Sequence, residues 1–153
     1  MKTQLKIVLP TEHDTLALGA HLAKLITNDF LIFLHGDLGV GKTTLVRGFL
    51  TLLIPDKIVK SPTYTIVESY HVHNKIIHHF DLYRIKDPEE LELIGIRDYF
   101  TAKSIIFVEW PENGKPYLPI CDLDCYINEA NNIREIIIIS NSQKGDKLLH
   151  KLC

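Results

Sequence analysis

Eight consecutive residues, Gly36-Asp37-Leu38-Gly39-Val40-Gly41-Lys42-Thr43, fit the phosphate-loop pattern G-x-x-x-x-G-K-[ST] at every fixed position. Such a loop works only between a strand and a helix, so it constrains the chain on both sides. Residues 30–34 (FLIFL) form a short apolar run suited to a buried strand, and from Thr44 onward TLVRGFLTLL has apolar residues at helical spacing. Gly36, Gly39 and Gly41 permit backbone angles that let successive N–H groups turn inward around a phosphate. The helix beyond adds unpaired N–H groups and the positive end of its dipole. Lys42 is then in reach of the β- and γ-phosphates, and the Thr43 hydroxyl can ligate Mg²⁺. The pattern predicts a site for a nucleoside triphosphate.

What surrounds that site is bounded by length and charge. At 153 residues the chain is expected to form one domain over residues 1–153. It should bury roughly 68–70% of its unfolded surface. A net charge of −2 supplies no basic field for gripping nucleic acid unaided. The longest apolar runs span about five residues, against the roughly 20 that cross a bilayer, so no membrane span is expected. The opening MKTQLKIVLPTEHD lacks the apolar block of a signal peptide. Three cysteines cannot all pair internally, and a reducing cytoplasm is the expected location.

Cys121 and Cys125 invite a zinc reading that would need a second pair, and none exists. Across CDLDCYIN the apolar residues Cys121, Leu123, Cys125 and Ile127 alternate with polar ones, the period of a half-buried strand. Both thiols are expected on its apolar face as core, with no metal held by protein ligands alone.

The rest of the chain alternates strands and helices. An edge strand is expected over residues 5–9, then a helix over 11–26 with Thr11 and Asp14 in capping-box spacing. Residues 65–72 and 75–80 read as a hairpin turning at His73-Asn74. Asp87-Pro88-Glu89-Glu90 reads as a helix start and Gly95 as its stop. Residues 104–108 predict a buried strand, 123–127 and 133–139 a last hairpin, and a short helix is expected from Asp146. Together these predict a three-layer α/β domain of phosphate-loop type, its mixed sheet parallel at the centre with antiparallel additions.

Nucleotide hydrolysis needs an acid for Mg²⁺ and a group that orients the attacking water. In open α/β sheets such groups sit at the carboxyl ends of central strands. The apolar run 105–108 ends in Glu109, as a Walker-B strand ends in an acid, although Asp is usual there. The run 75–80 ends in Asp81. Asp81 is the candidate for orienting water and Glu109 for the metal, and the sequence leaves an exchange of these roles open. Thr63 and Tyr64, after the Ser61-Pro62 turn, are further candidates, a threonine hydroxyl there being able to sense the γ-phosphate or Mg²⁺.

Beyond these generic features, the ordered strings GDLGVGKTT (36–44), KSPTYT (60–65), HFDLYR (79–84), DPEELE (87–92), GIRDYF (95–100) and VEWP (108–111) resemble the TsaE (formerly YjeE) family. The resemblance spans nearly the whole chain and is weakest after Leu118. It implies a cytoplasmic ATPase needed to make threonylcarbamoyladenosine at the tRNA adenosine beside the anticodon. It also implies work with the TsaB–TsaD complex, contact with tRNA only through that complex, and turnover that is slow alone and partner-dependent. Matched motif by motif, the cofactors are ATP and Mg²⁺. Gly36, Asp37, Leu38, Gly39, Val40, Gly41, Lys42, Thr43 and Thr44 cradle the phosphates, with Thr63 and Trp110 beside the nucleotide. Lys42, Asp81 and Glu109 take the catalytic places, and Thr43 and Glu109 hold the metal. Val40 departs from the alanine common in the family.

Two other classes fit less well. A small-molecule kinase would need a lid and several arginines, and the chain has only Arg47, Arg84, Arg97 and Arg134. A GTP switch commonly reads guanine with Asn-Lys-x-Asp, and Asn74-Lys75-Ile76-Ile77 lacks the acid.

Overall fold

A strand that lies at the centre of a parallel sheet is covered on both faces and so needs apolar residues at every position. β2 (Phe30–His35) meets this demand, being buried from Phe30 through Leu34. The computed structural model describes residues 2–27, 29–101 and 103–153. In it β1 (Gln4–Leu9), β2, β3 (Val67–Val72), β4 (Lys75–Asp81), β5 (Ser104–Glu109), β6 (Leu123–Ala130) and β7 (Ile133–Ser140) form one sheet in the order β1-β7-β6-β2-β5-β4-β3. The run β6-β2-β5-β4 is parallel, while β7, β1 and β3 are added antiparallel.

One face of the sheet carries α1 (Glu12–Leu25), α2 (Lys42–Leu53) and α4 (Gln143–Leu152), which close a core with Ile32, Leu34, Ile105 and Phe107. The opposite face is covered by the short helix α3 (Glu90–Leu93), two 3-10 turns and loops, around Phe33, Phe80, Leu82 and Val108. Three layers result, the third mostly irregular. α1 starts at a complete capping box, Thr11 and Asp14 each bonding the other's backbone N–H. The α1–α2 crossing is set by two glycines. A Cβ at Gly19 would strike the Leu45 carbonyl oxygen, and one at Gly48 the Leu16 carbonyl oxygen.

Several boundaries differ from the sequence expectation, each for a local reason. β3 begins at Val67 because Ile66 has φ 70° and donates its N–H to Pro62 O at 2.7 Å, closing a turn over residues expected to be strand. Asp87 does accept the Glu89 N–H at 3.0 Å, but only one α-turn follows before Gly95 (φ 71°) redirects the chain into a 3-10 turn. α4 starts at Gln143, not Asp146, because Ser142 Oγ accepts the Gly145 N–H at 3.0 Å and caps it. Cys121 precedes β6 and joins the core of the irregular layer, whereas Cys125 lies in the helical-layer core. The two thiols therefore do not share one face. Burial pushes the Cys121 thiol up to about 12 and the Cys125 thiol higher still.

Candidate functional site

The strand order puts the carboxyl ends of β2, β5 and β4 side by side. β2 runs into the phosphate loop, β5 ends in Glu109 and β4 ends in Asp81, with Asp81 and Glu109 paired in register. A cleft of about 190 Å³ opens there, lined by Leu38, Gly39, Gly41, Lys42, Thr43, Thr44, Ser61, Thr63, Asp81, Glu109 and Trp110. Small-molecule pockets usually run to about 300–1,000 Å³, so this one matches a polyphosphate tail better than a whole nucleotide. The side chain of Val40 does not enter it but packs into the core, and Gly36 and Asp37 lie outside its lining.

Within the loop, Gly39 has φ 80° and Gly41 φ 112°, a left-handed backbone that β-carbon-bearing residues resist. Gly41 is also the N-cap of α2, so the first N–H groups of that helix, at residues that line the cleft, have no side-chain cap. Lys42 is 4% exposed, and its Nζ donates to Gly36 O and, at 3.3 Å, to Asp37 O. The Trp110 indole covers it, with Nζ 3.9 Å from the ring centroid. Burial lowers the Lys42 pKa, and the nearby carboxylates of Glu109, Asp81, Glu112 and Asp37 offset this only in part. Trp110 itself has φ 57°, unusual for a bulky residue, and its ring meets Tyr83 at 4.9 Å.

The two acids have separate donors. Glu109 Oε2 accepts Thr43 Oγ1 at 2.8 Å and lies 2.6 Å from His79 Nε2. Asp81 accepts Thr63 Oγ1 at 3.1 Å on Oδ2 and the Tyr83 N–H at 3.0 Å on Oδ1. Thr63 is further tied to Ser61 Oγ at 2.8 Å. Tyr64 does not join the cleft; its ring is 83% exposed and stacks under the Arg84 guanidinium at 4.7 Å. His79, Ser61 and Tyr83 were not foreseen as site residues. Period-2 alternation would have placed His79 on the same face of β4 as Asp81, which is the signal that was there to find.

The oxygen donors fit Mg²⁺, which is commonly held by one or two carboxylates together with phosphate and water. Thr43 Oγ1 and Glu109 already touch, so one ion could engage both. Among the described residues no group of three or more His, Cys, Asp or Glu could hold a metal unaided. No helix among them is long and apolar enough to cross a membrane.

Comparison with known proteins agrees over most of the chain. A family model described as threonylcarbamoyl adenosine biosynthesis protein TsaE matches residues 9–136. The tRNA threonylcarbamoyladenosine biosynthesis protein TsaE of Haemophilus influenzae is 42% identical over 146 residues, covering 92% of each chain. The Bacillus subtilis protein of the same description is 33% identical over 150 residues, 97% of this chain and 94% of its own. Among solved structures, Bacillus subtilis YdiB superposes with a TM-score of 0.84 at 28% identity, covering 99% of this chain and 95% of that one.

Proposed function

This chain belongs to the TsaE family, and from that membership we propose that it is an Mg²⁺-dependent ATPase serving threonylcarbamoyladenosine formation in tRNA. In this reading its turnover supports the TsaB–TsaD complex, and it meets tRNA only through that complex. The observation that carries the reading is the convergence of Lys42, Thr43, Thr63, Asp81 and Glu109 on one cleft at the carboxyl edge of the sheet.

Each residue has a task that follows from its contacts. Lys42, already buried, exchanges its bonds to the Gly36 and Asp37 carbonyls for the β- and γ-phosphate oxygens. The N–H groups at the start of α2 stabilise the same oxygens without reorganising. Thr43 and Glu109 would hold Mg²⁺, which when bound neutralises phosphate charge. Asp81, anchored through Thr63 on the neighbouring loop, orients the attacking water and takes its proton. Because Glu109 is tied to Thr43 and Asp81 to Thr63, the contacts favour this division of the acids over the reverse.

Trp110 provides the test, since its indole touches Lys42. Adding ATP with Mg²⁺ should change its emission. Emission indifferent to saturating nucleotide would remove the proposal.

A further inference from the structure

The acids of the cleft differ in what lies behind them. Asp81 is held from the loop side, by the Thr63 hydroxyl and the Tyr83 N–H. Glu109 is held from inside the core. His79 sits two residues before Asp81 on the same face of β4 and is fully buried, at 0% exposure. Parallel pairing sets His79 beside Phe107 and Asp81 beside Glu109, so His79 is the diagonal neighbour of Glu109. Its Nε2 lies 2.6 Å from Glu109 Oε2, the same oxygen that accepts Thr43 Oγ1 at 2.8 Å. In the Nε2–H tautomer, the one that an ionised carboxylate can accept from, two donors meet on one oxygen and fix the carboxylate plane, and Oε1 receives no donor from the described residues.

The imidazole gains nothing else from being polar. Nδ1 has no hydrogen-bond partner among the described residues, and His79 shares its face of the sheet with the core residues Ile77 and Phe107. A leucine would fill this place without stranding a polar nitrogen. The polarity of residue 79 is thus accounted for by Glu109 alone. We propose that His79 is a positioning residue that sets the Glu109 carboxylate for the metal–phosphate complex, acting through Glu109 and not on the nucleotide. This rests on the Mg²⁺–ATP reading above and deepens it: partners behind metal-ligating groups commonly control metal affinity.

The test titrates Mg²⁺ at fixed ATP, following Trp110 emission, in the parent and in His79→Gln, His79→Asn and His79→Leu, with thermal unfolding measured on the same samples. Glutamine carries an amide nitrogen near the place of Nε2, asparagine near that of Nδ1, so only glutamine keeps the donor to Glu109. His79→Asn and His79→Leu should need about tenfold more Mg²⁺ or higher for the half-maximal response, and His79→Gln within about threefold of the parent. His79→Leu, which takes a partner from the buried Glu109 carboxylate, should melt lower than the parent. If it does not fold, the glutamine–asparagine pair decides alone. Equal impairment of those two, or Mg²⁺ titrations that match the parent throughout, overturns the role of His79 and leaves the ATPase reading standing. A parent that ignores ATP and Mg²⁺ overturns both.

Discussion

Lys42 is under two opposing demands. Burial disfavours its charge, while the phosphates it is proposed to meet would require that charge. Because its folded pKa lies below the ordinary lysine value, charging it costs stability at pH values below that folded pKa, and the cost fades as pH rises past it. Lys42→Met should therefore melt at or above the parent without nucleotide, the difference shrinking as pH rises. The same substitution should weaken ATP binding by about 100-fold, roughly 2.7 kcal/mol, as for loss of a charge-assisted bond pair. In the parent, ATP affinity should fall as pH rises through the lowered Lys42 pKa, which nucleotide titrations by Trp110 emission would follow. The acids separate differently. Asp81→Ala should hold ATP affinity within about tenfold yet lose hydrolysis by on the order of 100-fold, since a group that orients water matters chiefly in the transition state. Glu109→Ala should instead raise the Mg²⁺ requirement for binding. The opposite pattern in paired binding and turnover assays exchanges the two roles.

At the scale of elements, the position of the phosphate loop depends on how α2 docks against α1. Alanine at residue 48 would gain up to about 1 kcal/mol of helix propensity. Its Cβ would meet the Leu16 backbone, which cannot move aside as a side chain could. Overpacking of this kind costs about 1–3 kcal/mol, so Gly48→Ala should lower the melting temperature by several degrees and weaken nucleotide binding with it. Thermal unfolding with and without Mg²⁺–ATP measures both, and an undisturbed melt would contradict the docking role of Gly48. The elements most legible in the sequence were those with a strong local signal: the Thr11–Asp14 box, the all-apolar β2, and the hairpin turns where His73, Asn131 and Asn132 take positive φ. Legibility failed where long-range contacts decide. The start of β6 at Leu123 was legible, but nothing local says that Cys121, in the same alternation as Leu123 and Cys125, belongs to the other layer, because it lies before the stretch that pairs with β2. His79 was hidden for a related reason, since its meaning comes from a residue on another strand.

The whole molecule carries a net charge of −2, and exposed apolar residues lie on and next to its candidate cleft. Leu38, 64% exposed, lines the cleft, and Tyr64, 83% exposed, lies outside it, one residue beyond the lining residue Thr63. A partner that covers these residues would exclude water and complete the environment of the phosphates. Tyr64→Ala should accordingly leave ATP affinity of the isolated chain within about twofold while reducing stimulation by TsaB–TsaD by about tenfold or more, the scale of a buried aromatic contact in an interface. The cleft and the proposed partner surface meet in one experiment. Phosphate release from ATP, measured for the purified chain alone and with the TsaB–TsaD pair, should be slow alone, faster with the pair, and absent in both for Lys42→Met. No release by the parent under either condition would contradict the account at its centre.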